Sequence, residues 1–182
     1  MPRATPAVPP PPDGDDADHP RPDHVARIQQ AWSVERPDVD VAPQGVIGRL
    51  HRVAEHLTAE LTGVFAAHGL SEGEFDVLAA LRRAGAPYER APGELAAHTM
   101  VTSGATTKRV DRLVAAGWAT RRRSEVDGRG SVVALTPAGL ELIDRAFTAH
   151  MANEHRLLAL LPAEDRALLE GALTRWLAAF EA

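Results

Sequence analysis

Residues 91–142 read APGELAAHTMVTSGATTKRVDRLVAAGWATRRRSEVDGRGSVVALTPAGLEL, and the punctuation of this stretch predicts the architecture around it. Pro92 suits a first helical position, where its missing N–H costs nothing, and it opens a short helix over 93–98. Thr102 or Ser103 then caps a second helix that Gly117 stops. Helix, short turn, helix reads as a helix-turn-helix. Beyond it, 118–124 and 131–136 are two short strands around Asp127-Gly128-Arg129-Gly130, a sequence suited to a hairpin turn. Thr136 with Pro137 caps the helix that follows.

The charges of this stretch set it apart. Between positions 101 and 130 stand seven basic residues (Lys108, Arg109, Arg112, Arg121, Arg122, Arg123, Arg129) and three acidic ones (Asp111, Glu125, Asp127). The whole chain carries −5, which leaves −9 on the rest. A basic island on an acidic body is the footprint of a protein that meets phosphates on one side only. On the second helix Val110, Leu113 and Val114 share a face that packs inward, while Thr107, Lys108, Asp111 and Arg112 point mostly to solvent. Thr102, Ser103, Thr106 and Thr107 are short enough to let the helix enter a major groove and reach base edges or phosphates. Lys108 and Arg112 suit contact with the backbone, and Arg122 adds to them from the basic strand. Arg129, between two glycines at the hairpin tip, is free to enter a narrow minor groove.

Outward from the island the chain is helical. Val25, Ile28 and Trp32 mark a helix that begins at His24 and ends before Pro37. After Pro43, apolar residues recur every three or four positions from Val46 to Val64, a long amphipathic helix to about His68 closed by Gly69. Ser71 and Glu74 form a capping box for a helix through Phe75, Leu78 and Leu81 to Gly85. Pro162, with Glu164 and Asp165 in the first turn, starts a last helix to the C-terminus. The expected order is five helices, two strands and two helices, a mainly α (α+β) fold. Residues 1–23 hold 8 of the 14 prolines and five aspartates, the composition of a disordered acidic arm.

Composition narrows the function classes. There is no Cys, which excludes thiolate nucleophiles, disulfides and the common structural zinc sites. No phosphate-cradling Gly loop stands between a strand and a helix, and Ser103, Ser124 and Ser131 lack a nucleophile elbow. His51 and His56, like His150 and His155, are spaced i,i+5 and share no helical face, so they make poor metal pairs. Neither an enzyme nor a cofactor is expected. No apolar run reaches the roughly 20 residues of a membrane span and the N-terminus lacks signal-peptide order, so a cytoplasmic protein is expected. A sequence-neutral DNA binder would carry net positive charge, which leaves sequence-specific binding to double-stranded DNA as the main expectation.

The quoted stretch resembles the winged helix-turn-helix of the MarR family of bacterial transcription regulators, and the tip DGRG is similar to that family's D-x-R-x wing. The resemblance implies one domain over 24–182. Residues 24–68 and 137–182 would supply the dimerisation helices of a homodimer, and 71–136 the winged part that reads half of a palindromic operator. It implies regulation, more often by repression. The string AWSVERPDVDVAPQGVIGRLHRV resembles the N-terminus of the family's urate-responsive subgroup, which has an extra helix. By that resemblance Trp32, Asp76, Arg109 and Arg121 would bind a small anion. These four residue types do not separate urate or another purine from citrate, aconitate or a phenolic acid. One geometric argument supports the assignment: Arg109 lies roughly 70° from the centre of its helix's buried face, so it looks back into the protein, where Asp76 is a reasonable partner.

Overall fold

The computed structural model describes residues 22–99, 106–123 and 130–181. The chain divides into two units, Met1–Val53 and Ala54–Ala182. In the first, α1 (His24–Glu35) begins where the Asp23 carboxylate accepts from the Ala26 N–H at 2.8 Å. The same carboxylate receives Arg49 Nε at 2.7 Å, from the N-terminal half of α2 (Gln44–Ala67). Val25 is the buried residue of α1 and packs against Gly48, where an added Cβ would stand 3.1 Å from its Cγ1. A hydrogen bond and a glycine contact thus join the two helices of this unit.

The second unit holds the rest of α2, then α3 (Glu72–Arg83), β1 (Glu89–Arg90), α4 (Pro92–His98), α5 (Thr106–Ala115), β2 (Ala119–Arg123), β3 (Ser131–Leu135), α6 (Pro137–Leu158) and α7 (Ala163–Ala178). Gly69 ends α2 at φ +72°, and the Leu70 N–H reaches back to the Phe65 carbonyl at 3.0 Å. Both halves of the Ser71/Glu74 capping box are present. Helix α3 is the centre of the unit: it packs on α5, α6 and β3, and Val77, Leu78 and Leu81 are fully buried. Leu95, Val110, Leu113, Val133 and Ile143 close the core around it. Thr136 caps α6 by accepting from the Gly139 N–H at 3.0 Å. No helix among the described residues is long and apolar enough to cross a membrane.

Four details differ from expectation. A two-residue strand, β1, comes before α4 and makes the sheet three-stranded, in the order β1-β3-β2. Glu89 and Arg90 are polar and too few to show a period, and only their antiparallel pairing with Ala134 and Val133 makes them a strand. Among the described residues the hairpin strands run over 119–123 and 131–135, leaving out Trp118 and Thr136, which were expected in them. Val114 is 37% exposed, because Thr106, Val110 and Leu113, spaced i, i+4, i+7, form the buried stripe and Val114 falls on its edge. Helix α7 ends at Ala178 and, among the described residues, buries none of its side chains. The expected acidic arm, but for its last two residues, the capping residues Thr102 and Ser103, and most of the hairpin tip lie outside the described residues.

Candidate nucleic-acid interface

Helix α5 turns Thr107, Lys108, Asp111 and Arg112 to solvent, as its periodicity requires. Lys108 and Arg112, four residues apart, share a face. Lys108 forms no ion pair among the described residues, whereas Arg112 Nη1 lies 3.7 Å from Glu74 Oε1. Thr106 does not belong with them. It is buried and its hydroxyl finds no hydrogen-bond partner among the described residues, because it shares the stripe of Val110 and Leu113. The expected contact of Thr106 with DNA is therefore withdrawn. Thr102, Ser103 and Arg129 lie outside the described residues.

The strand register decides where the arginines of β2 go. Ala119 and Arg121 pair with Leu135 and Val133, and Ala119 and Val133 are buried, so Arg121 stands on the core side of the sheet. From there its Nη1 reaches Asp111 Oδ1 on α5 at 3.2 Å. Arg122 stands on the opposite side, where its Nη2 meets Glu89 Oε2 of β1 at 2.6 Å.

Glu74 is shared between two tasks. Its Oε2 accepts from the Ser71 N–H at 2.9 Å and the Ser71 hydroxyl at 2.7 Å, while Oε1 faces Arg112. Partial burial pushes its pKa up, but the Ser71 bonds and the charges of Arg112 and Arg109 outweigh this and hold the carboxyl below its ordinary value. An unfolded chain then binds this proton more tightly than the folded one. The stabilisation is complete above the ordinary carboxylate pKa and is lost as pH falls through the lowered one. Glu74→Gln should flatten the fall of stability in that acid window, read as denaturation midpoint against pH; an unchanged slope would show that Glu74 does not contribute.

Of the four residues assigned to a ligand, Asp76 is buried on α3 and Arg109 is half-buried on α5. Arg109 does look back onto α3. It lies over Gly73, where an added Cβ would stand 2.2 Å from Nε and 2.6 Å from Cζ. Its Nη1 is buried and lacks a hydrogen-bond partner among the described residues. Gly73 is in the first turn of α3, where the helix dipole favours an anion. Arg121 is held by Asp111, as above. Trp32, in the first unit, is 47% exposed.

Three acids escaped the sequence reading as partners. Glu74 was visible as a cap only, Asp111 as a solvated charge, and Glu89 lay in a strand that no period announces. Asp111 and Glu89 both meet arginines of β2 through long-range packing, for which the local sequence carries no signal.

Comparison with known proteins identifies relatives of the chain as a whole. The MarR family description matches residues 68–130. The HTH-type transcriptional regulator PecS of Dickeya dadantii (strain 3937) is 41% identical over 151 residues, which is 83% of this chain and 91% of that protein. Among solved structures, a mutant of MarR from E. coli complexed with operator DNA is 29% identical, with a TM-score of 0.64 over 76% of this chain and 99% of that one. AbsC, a MarR family transcriptional regulator from Streptomyces coelicolor, is 25% identical, with a TM-score of 0.68 over 79% and 97%.

Proposed function

Because the chain belongs to the MarR family of DNA-binding transcriptional regulators, we propose that it is a homodimeric repressor whose hold on a palindromic operator is loosened by a small anion, urate or a related purine. The observation that carries the DNA part is the outward face of α5, with Thr107, Lys108 and Arg112 above a stripe buried in the core. A helix anchored this way offers hydroxyl and cationic groups to a groove without exposing its apolar side. Arg122 adds a cation from β2, and Arg129 is assigned to the wing by resemblance.

The homodimer is supported by unpartnered apolar surface. Within the second unit α7 exposes Leu168, Leu169, Leu173, Trp176 and Leu177, more than a solitary subunit leaves in water, and a second copy is the natural cover. Sedimentation should give a dimer at micromolar protein; a monomer would overturn this reading.

The anion is supported by Arg109. Its buried Nη1, without a hydrogen-bond partner among the described residues and beside the first turn of α3, is a place where a cation and a helix dipole both favour negative charge. An anion taken up there in competition with Glu74 and Asp76 would draw Arg109, and α5 with it, away from the position that suits DNA. A coupling of about 1–3 kcal/mol, or roughly 5- to 150-fold in operator affinity, is the expected scale. Urate should raise the melting temperature and release an operator fragment in a gel shift, ahead of xanthine, citrate, aconitate and salicylate. Arg121→Ala should lose the response. Gly73→Ala, which fills the space Arg109 occupies, should lose it while still retarding the operator. An operator affinity unchanged at millimolar urate rejects the purine, and an equal result with every anion rejects the site.

A further inference from the structure

Three arginines of the basic island already hold an acid: Arg112 pairs with Glu74, Arg121 with Asp111 and Arg122 with Glu89. The tightest of these joins strands that are not neighbours. In the order β1-β3-β2, Glu89 stands opposite Ala134 and Arg122 opposite Val132, so both project from the side of the sheet away from Val133. There the two side chains reach across β3 and meet at 2.6 Å, Glu89 being 26% and Arg122 39% exposed.

We propose that Glu89 is a positioning residue that restrains sequence-independent DNA binding by holding Arg122 back from the phosphate backbone. The inference rests on the reading of the island as a DNA-binding surface. Attraction to phosphate is the same for every sequence and supplies nearly all of non-specific affinity, each cation that engages a phosphate releasing counterions. An arginine already bound to a carboxylate gives up that bond on engaging phosphate, or brings the carboxylate's charge close to the backbone. Either way the contact contributes less affinity and less salt dependence. Base-edge contacts from α5 are untouched, so the operator keeps its means of recognition while random DNA loses part of its only one.

Glu89→Gln tests this, since glutamine still accepts a hydrogen bond from Arg122 and removes only the charge. Affinity for a random-sequence duplex at about 0.1 M salt should rise up to roughly eightfold per protomer, and the slope of log K against log salt should steepen by about 0.9 per protomer. The gain should vanish when Arg122→Gln is added, and should be absent from Glu170→Gln, an equal charge change on α7. An unchanged slope in Glu89→Gln, with wild type still retarding its operator, overturns the proposal and leaves the DNA-binding reading intact. The same gain in Glu170→Gln, or a gain that survives Arg122→Gln, overturns it too, by making net charge the cause. Failure of the wild type to retard any duplex overturns both.

Discussion

Lys108→Gln combined with Arg112→Gln should lower operator affinity by about three orders of magnitude at 0.1 M salt. Each phosphate contact contributes about 0.9 to the slope of log K against log salt, hence about 0.9 log units at that concentration. Two contacts in each protomer of the proposed dimer make four, roughly three and a half orders of magnitude. The Glu74 charge beside Arg112 takes some of this away. Fluorescence anisotropy across a salt series should show the slope becoming shallower by about 3, roughly alike for operator and random duplexes, because the proposed docking sets these residues against the backbone and not the bases. The fold should hardly notice: Lys108 is in no ion pair among the described residues, and the pair of Arg112, long at 3.7 Å and exposed at its arginine end, is worth at most about 1 kcal/mol. A slope unchanged in the double variant would turn α5's outer face away from phosphate and remove the basis of the regulator's proposed docking.

Gly139→Ala should be the most damaging single substitution for stability. An added Cβ would stand 1.9 Å from the Trp118 carbonyl oxygen and 2.8 Å from its carbon. These are backbone atoms, and they are tied in place: the Thr136 N–H donates to that same oxygen at 3.1 Å, and the Thr136 hydroxyl donates to the Gly117 carbonyl at 2.8 Å. Relief therefore means separating the start of α6 from the start of the hairpin. The expected cost is about 3 kcal/mol or more, at the upper end for overpacking. For a domain of this size that lowers the melting temperature by roughly 6–12 °C. Gly63→Ala is the contrasting case, with nothing within 4 Å of the added carbon inside α2, and should stabilise by about 0.5–1 kcal/mol. Equal melting temperatures for wild type and Gly139→Ala would mean that the α6–hairpin junction yields freely.

Local chemistry made most elements legible. A capping box, a glycine after a helix and a proline at a helix start each act within one turn, so Ser71, Gly69 and Pro92 mark boundaries without knowledge of anything distant. Thr106 shows how such a reading goes astray. Its stripe with Val110 and Leu113 was visible in the spacing, but its hydroxyl suggested a polar contact, and the core took the methyl and the hydroxyl together. Of the residues assigned to a ligand by resemblance, Arg109 leans inward as helical geometry requires, whereas its resting place depends on the missing side chain of Gly73, thirty-six positions earlier.

Periodicity and capping, then, carried the helix boundaries, the hairpin and the charge island, because all three arise from interactions among residues near one another along the chain. Long-range packing chose which arginine faces which acid. Arg121 turns to Asp111 and Arg122 to Glu89 because adjacent residues of a strand must point to opposite sides, and only pairing with β3 says which side is buried. The strand β1 exists for the same reason: two polar residues have no strand propensity to speak of, and a neighbour with free backbone groups makes one of them.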